Sequence, residues 1–360
     1  MIKLKDISIL ILAILSLTGL FLNIDTKAEF DIQSQQLNTE EKDILKKIEN
    51  VDPQKPQRNK FKRKSGKIID STSSFKKEFN SSDKKVNLTK EDINIEIGTP
   101  KEIQNNNTTI QEDKIIYESK DNTVDLTIEN VDGGIRQVII IHDKNQPNRY
   151  TFPMKISESQ KFVKNEDESV RLIDSNSNTV MFILKPWARD KNNKELQTYY
   201  EVEDKQIVQY INLDNAEFPV TADPTWCGDY FTDVKWGPDD VYGERKGDIL
   251  GMKPTWCLKL MGMGSNVYGS FSNWSAWNEL YSKIPYHQSF NWDDRKYGTN
   301  KYWSMYNQLQ CHIDWIKWAN SVGYSIDYIK RKQPIYRDSF HLEPFRNDKG
   351  YWGFIFSGCN

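Results

Sequence analysis

The sequence changes character at residues 218–226, Phe218-Pro219-Val220-Thr221-Ala222-Asp223-Pro224-Thr225-Trp226. The chain before this stretch is rich in lysine and asparagine. The chain from Thr225 onward holds ten of the eleven tryptophans and all four cysteines. Because a single domain rarely divides its residue types so sharply, we predict a junction between two units here. Asp223 and Pro224 would form an exposed turn at the junction, which makes them the predicted site of any proteolytic processing.

Length and charge limit the classes of function. The 360 residues suffice for two domains, and 49 Lys and Arg nearly balance 51 Asp and Glu. A balanced chain has no strong field that would attract nucleic acid or an anionic membrane, so neither is a predicted partner. Hydrophobic residues make up 37% of the chain, below the usual share for compact proteins, which predicts that one segment adds little to any core.

The N-terminus has the features of a secretory signal peptide. Lys3 and Lys5 precede the apolar run Ile7–Leu22, and small residues follow at Thr26 and Ala28. The run has 16 residues, whereas a membrane-spanning helix needs about 20. We therefore predict cleavage after Ala28 and a secreted, extracellular protein that keeps no transmembrane anchor.

Four cysteines lie beyond the junction, and in an exported protein an even number of them predicts two disulfides. The residues are Cys227, Cys257, Cys311 and Cys359. A structural zinc site needs close pairs such as C-x-x-C, and none occurs, so no metal is predicted. Four cysteines allow three pairings, among which the spacing does not choose.

Residues 29–112 are predicted to be a polar, largely disordered leader. One amphipathic helix is expected over Glu40–Val51, with Thr39 as its N-cap. Prolines, a basic cluster at Lys60–Lys64 and runs of serine and asparagine follow it. A segment of this composition buries too little apolar surface to offset its chain entropy.

The rest of the chain predicts a multidomain protein with two folded units. Residues 113–223 show short runs of Ile, Val, Thr and Tyr between turn signals, which is typical of an all-β, sandwich-like domain. In this unit His142 stands at a strand end and is interpreted as incidental. Residues 225–360 predict a small α+β domain held by disulfides, with helices over Phe271–Ile284 and Lys301–Ala319.

Chemistry could reside at His312, Glu343 and Arg346. A histidine and a glutamate can act as general acid and base, and an arginine can hold an anionic substrate group. The competing interpretation is structural, because His312 adjoins a disulfide cysteine and the other two residues can pair with each other. No nucleophile, zinc-protease or phosphate-loop motif appears, and no cofactor is predicted.

The abundance of aromatic residues points to a second kind of site. Exposed indole and phenol rings offer flat surfaces to sugars, lipids or proteins, although most rings of a small domain belong to its core. The candidate binding residues are Trp292, Trp303, Trp315, Trp318 and Tyr324.

Several short motifs mark the C-terminal segment: Pro254-Thr255, Ala276-Trp277-x-Glu279, Met305-x-x-Gln308-Leu309-x-Cys311-His312, Leu342-Glu343-Pro344-x-Arg346 and Cys359-Asn360. Through them, residues 250–360 resemble the bacterial family described as domain of unknown function 2599. The resemblance implies that Cys311 pairs with Cys359, and hence Cys227 with Cys257. It implies no activity.

The region that closes on Phe218–Pro224 resembles a module of secreted Gram-positive proteins, some of them similar to bacteriocin precursors. The resemblance implies that residues 29–223 are a leader or pro-region and residues 225–360 an effector, which could be antibacterial. The alternatives are a secreted hydrolase of wall or surface polymers and a non-catalytic wall-binding module. The expected partner is a cell-surface or cell-wall component or a target-cell protein.

The signal-peptide prediction can be tested on the exported protein. Expression in a Gram-positive host should release a chain that begins at Glu29, since the small residues at positions 26 and 28 suit signal peptidase. The intact mass and N-terminal sequence of the protein in the culture supernatant measure this. A cell-bound chain that retains Met1 would contradict the prediction.

Overall fold

The computed structural model describes residues 30–71, 75–103, 106–121, 123–238, 248–263, 276–280, 301–321 and 340–342, with Trp352 and Cys359. The predicted signal peptide and its cleavage site at Ala28 lie outside these residues. The chain forms a large all-β domain followed by a small disulfide-linked α+β module, as predicted.

Antiparallel strands dominate the part of the chain that the structure describes. The strands are β1 (Phe30–Asp31), β2 (Lys62–Lys64), β3 (Lys67–Asp70), β4 (Lys76–Asn80), β5 (Lys85–Lys90), β6 (Ile93–Gly98), β7 (Asn106–Ile110), β8 (Lys114–Ser119), β9 (Val124–Val131), β10 (Gly134–Ile141), β11 (Arg149–Lys155), β12 (Lys161–Lys164), β13 (Val170–Ile173), β14 (Thr179–Ile183), β15 (Trp187–Arg189), β16 (Thr198–Glu203), β17 (Gln206–Ile211), β18 (Val220–Asp223), β19 (Thr225–Cys227), β20 (Phe231–Pro238), β21 (Asp248–Pro254) and β22 (Phe340–Leu342). The helices are α1 (Thr39–Val51), α2 (Trp256–Met263) and α3 (Lys301–Ser321), and residues 276–280 are also helical.

Two large sheets form the β domain. The first has the order β1-β2-β3-β4-β5-β6-β11-β17-β16. The second has the order β12-β13-β14-β19-β10-β9-β8-β7, with β18 pairing with both β10 and β15. Buried apolar side chains from both sheets form one continuous cluster, so the domain is a sandwich with its core between the sheets. The third sheet, β20-β21-β22, belongs to the C-terminal module.

The described part of the predicted leader over residues 29–112 is folded, and the predicted start of the β domain at residue 113 is wrong. Its strands β2 to β6 supply most of the first sheet, with Phe79, Val86 and Ile95 buried in the core. In β5 and β6 apolar residues alternate with Lys, Asn, Thr and Glu, so one face of each of these two strands is apolar although the average composition is polar. The average composition of a segment combines both faces of its strands, so it did not reveal this sheet.

Helix α1 covers the outer face of the second sheet. Its N-cap is Asn38 rather than Thr39: the Asn38 side chain accepts from the Glu41 backbone N–H, and the Glu41 carboxylate accepts from that of Asn38, both at 2.8 Å. Ile44 and Ile48 pack against apolar side chains of β8 and β10. The helix thereby gives the second sheet two buried faces.

The junction segment is a central part of the second sheet. β10 pairs with β18 through Ile140 and Thr221 and with β19 through Ile135 and Trp226. The Pro224 carbonyl between the two strands accepts a hydrogen bond of 3.0 Å from the backbone of β10. The expectation of an exposed turn at Asp223 and Pro224 is therefore wrong, because strand pairing continues on both sides of the proline and both residues are buried.

A buried network of charged side chains is centred on β10, the strand that pairs with β18 and β19. The Arg136 guanidinium of β10 donates to Glu129 from Nε and to Asp52 from Nη2, each at 2.8 Å. Arg58 forms an ion pair with the other oxygen of Glu129, with Nη2 at 2.8 Å. Burial alone would raise the pKa of both carboxyl groups, but the arginine charges and hydrogen bonds hold each pKa below its ordinary value. The network joins the C-terminal end of α1 to the centre of the sheet.

Replacing Arg136 tests the network. R136M would leave Glu129 and Asp52 buried without their main cation, and we expect it to lower the free energy of unfolding by about 3–5 kcal/mol. The matched control is R149M, which breaks a partly exposed pair with Glu203 and should cost no more than about 1 kcal/mol. Urea unfolding of the two variants measures both losses. Equal losses would contradict the assigned role of Arg136.

Candidate functional site

The C-terminal module has its own core and two disulfides. Cys227 pairs with Cys257, with Cα atoms 5.6 Å apart, and Cys311 pairs with Cys359, at 5.4 Å. This is the pairing that the family resemblance implies, and all four residues are buried. The first bridge ties β19 of the large sheet to α2, and the second ties α3 to the C-terminal end of the chain.

The module docks on the tight turn between β9 and β10. Gly133 at this turn has φ +87°, a conformation that favours glycine, and its carbonyl accepts from the backbone N–H groups of Gly228 and Asp229, each at 3.0 Å. The Asp132 carboxylate accepts from the Trp256 backbone N–H at 3.0 Å. A Cβ atom at Gly134 would lie 1.9 Å from the Trp226 carbonyl oxygen, so the backbones can approach only at a glycine. These contacts make the module an extension of the β domain.

A buried glutamate fixes the start of the module. The Glu279 carboxylate accepts from the backbone N–H groups of Tyr230, at 2.9 Å, and Phe231, at 3.1 Å. It thereby holds the helical segment 276–280 against the first strand of the third sheet. Glu279 is visible in the sequence only as part of a motif, because a backbone contact 48 residues away leaves no local signal.

Among the candidate catalytic residues, the structure describes His312. This residue lies on α3 between Cys311 and Ile313 and is only 6% exposed. Glu343 and Arg346 lie outside the described residues. In the part of the chain that the structure describes, His312 is thus a residue of the packed helix face rather than of an open cleft.

Among the candidate binding residues, Trp303 lies at the surface. Its side chain is 48% exposed, and its ring contacts Tyr306 edge-on at 5.8 Å. Tyr306 contacts the buried Trp277 in the same way at 5.7 Å. The three rings form a series from the core to the solvent, which we call the aromatic series. It holds the Trp303 indole in place while the side chain stays half-exposed.

The structure describes less of the other four candidate binding residues. Trp315 and Trp318 lie on α3, but their side chains, like all of Trp292 and Tyr324, lie outside what the structure describes. Trp352, which the sequence analysis did not select, is 68% exposed. Only the structure places it at the surface.

The sequence analysis also missed the role of His142. Its Nε2 lies 2.6 Å from the Asp125 carboxylate. The two-residue turn of the β9–β10 hairpin sets the register that pairs Asp125 with Ile140, which brings position 142 diagonally across from the aspartate. Extending this register from the Asp132-Gly133 turn would have predicted the contact.

Asp223, a predicted processing residue, is a buried carboxyl group. Burial raises its pKa to about 7, although the Arg136 charge and a hydrogen bond from the Thr225 hydroxyl act in the opposite direction. A protease binds an extended, exposed segment, so cleavage next to Asp223 or Pro224 would first require the second sheet to open locally. Cleavage at this position stays a prediction, and the pairing of β18 and β19 within the sheet opposes it.

Within the described ranges, no helix is long and apolar enough to cross a membrane. The same residues contain no group of three or more His, Cys, Asp or Glu side chains placed to hold a metal ion. Two disulfides are typical of proteins from oxidising compartments.

Comparisons with known proteins add no assignment. No family model and no curated protein matches this chain. The two resemblances noted in the sequence therefore stay predictions.

The raised pKa of Asp223 predicts a pH effect on stability. A carboxyl group whose pKa rises from 3.8 in the unfolded chain to about 7 in the folded one stabilises the fold below pH 3.8, and this contribution is lost as the pH rises to 7. The difference in unfolding free energy between D223N and the unmodified protein should therefore shift in favour of D223N between pH 4 and 7. Urea unfolding at several pH values measures it, and a difference that is constant with pH would contradict it.

Proposed function

We propose that this chain is an exported binding protein whose C-terminal module attaches to a component of the bacterial cell surface or cell wall. The observation that carries the proposal is the aromatic series, in which a half-exposed Trp303 is supported by Tyr306 and the buried Trp277. A pre-positioned indole loses little conformational freedom on binding and offers a flat apolar face to a sugar ring or a protein.

The proposal of export is based on the signal-like N-terminus, and the two disulfides are consistent with it. The mature protein would meet surface polymers of its own cell or of neighbouring bacteria. The near balance of acidic and basic residues disfavours purely electrostatic attachment and leaves apolar contact as the main source of affinity.

Binding is better supported than hydrolysis. A general acid or base must reach the bond that it breaks, and His312 is buried in α3 beside a disulfide. The binding function needs no titrating side chain in that position. His312 is then one of the residues that fix α3, on which Trp303 is carried.

The β domain is proposed to remain with the module rather than to be discarded. The module's first disulfide starts on β19, a strand that pairs inside the large sheet with β10 and β14. Release of the module together with β19 would leave the backbone edges of β10 and β14 unpaired there. Any antibacterial activity of the kind that the resemblance implies would accordingly reside in the whole mature chain.

The binding proposal is tested by cosedimentation of the mature chain with purified Gram-positive cell walls. We expect W303A to bind at least about tenfold more weakly, because burial of a large aromatic side chain contributes roughly 1.5–3 kcal/mol. W352A, which removes the other exposed tryptophan of the described module, should weaken binding in the same direction.

Y199A is the matched control, since Tyr199 is an exposed aromatic residue of the β domain, 36% exposed, and should not affect binding. Thermal unfolding verifies that each variant is folded. Absence of wall binding by the unmodified chain, or full binding by both W303A and W352A, would refute the proposed site. Growth inhibition measured on the same samples shows whether attachment is accompanied by killing.

A further inference from the structure

Three polar side chains meet in the core between the two large sheets. They are Asp70 of β3, Lys77 of β4 and Asn130 of β9. Asp70 and Lys77 lie directly opposite each other in the β3–β4 pair, and Asn130 belongs to the other sheet. Each of the three is at most 1% exposed. A lysine is rarely buried this completely, because its ammonium group loses its hydration.

Alternation along the strands places all three side chains on the core side. The residues two positions before or after them on the same strands, Ile68, Phe79 and Ile128, belong to the apolar core. The polar residues thus occupy positions at which the strand pattern favours apolar side chains. Apolar residues of similar size would stabilise the sandwich about as well, because the loss of hydration offsets the attraction within a buried ion pair.

The Lys77 amine contacts both polar neighbours. Its Nζ donates to Asn130 Oδ1 at 2.9 Å and lies 3.3 Å from Asp70 Oδ2. It also donates to the Val131 carbonyl at 3.0 Å. The Asn130 amide nitrogen donates to the Asn59 carbonyl at 3.0 Å, which turns the amide oxygen toward the lysine. An amine, an amide and a carboxylate are therefore held in contact inside the core.

Two further carboxyl groups lie between this cluster and the C-terminal module, and both accept from backbone N–H groups. Asp132 accepts from Trp256 at 3.0 Å, and Asp229 accepts from Phe75 at 3.2 Å. Asp70 is the carboxylate that lies in ion-pair contact with the buried amine. It is therefore the group placed to exchange a proton with that amine.

We propose that Lys77 and Asn130 react with each other to form an intramolecular isopeptide bond, with Asp70 as general base and acid. Asp70 takes a proton from the Lys77 ammonium group, and the amine then attacks Asn130 Cγ. The Cγ–Nζ bond forms and the Cγ–Nδ2 bond breaks. The lysine nitrogen keeps one of its three protons. The other two pass through Asp70 to the departing nitrogen, which leaves as ammonium, so the reaction needs no co-reactant.

The geometry suits this reaction. The amine already contacts Oδ1 of Asn130, and Cγ is bonded to that oxygen at about 1.2 Å. A short movement therefore brings the amine to the roughly 3–3.5 Å at which reacting atoms are productively placed. The core also keeps water away from the amide, so the amine meets no competing nucleophile.

The bond joins the two sheets covalently. Lys77 lies in the first sheet and Asn130, 53 residues later, in the second. Like a disulfide, a cross-link over such a loop restricts the unfolded chain, but a reducing agent does not break it. Asn130 also lies next to the β9–β10 turn on which the module docks. The cross-link is independent of the proposed wall attachment.

Peptide mapping by mass spectrometry tests the proposal on the exported mature chain. After reduction of the disulfides, we expect the peptides that contain Lys77 and Asn130 to appear as one linked species. Its mass should be about 17 Da below the sum of the two peptides, because one ammonia molecule is lost. Two separate peptides of unchanged mass would overturn the proposal.

Variants test the assigned roles. K77M removes the nucleophile and should yield no linked species. D70N keeps the size of the side chain but cannot exchange the proton, and we expect it to form the link about a hundredfold more slowly. The control is K85M, which removes a partly exposed lysine paired with Glu96 and should link like the unmodified chain. Linking of D70N at the unmodified rate would refute the role of Asp70. The peptide map of the unmodified chain decides the proposal even where a variant fails to fold.

Discussion

Both halves of the protein depend on the pairing of β10 with the strands β18 and β19. This pairing completes the centre of the second sheet, and it brings Cys227 to the place where the first disulfide begins. The turn that precedes β10, at Gly133 and Gly134, receives the first loop and the first helix of the module. A chain without this pairing would lose its sheet at the centre and, with it, the surface on which the module packs.

The buried charges fix the register of this pairing. Val138 and Ile140 of β10 face α1, while Ile135 and Ile139 face the core between the sheets. Arg136 shares the face of Val138 and bonds to Asp52 at the end of α1. Because alternate residues of a strand point to opposite faces, a slip by one residue would carry the guanidinium into the apolar core. The network thus excludes the nearest alternative pairing as well as attaching the helix.

The β9–β10 hairpin also connects the module with the cleft under α1. Its turn end supports the module, whose Trp303 stands on rings that reach into the core. Its open end holds Asp125 and His142 in the cleft under α1. One pair of strands therefore supports the module at its turn and positions the His142–Asp125 contact at its open end.

The sequence by itself determined the number of disulfides, helix α3 and the amphipathic helix α1, because cysteine count and 3.6-residue periodicity are local signals. It also predicted Trp303 as a surface ring. Only the tertiary structure decided that β2 to β6 supply most of the first sheet, that Asp223 is buried, and that His142 contacts Asp125. Each of these depends on which strands lie next to each other. Strand pairing joins residues that are far apart along the chain, and average composition cannot distinguish an alternating strand from a solvated tether.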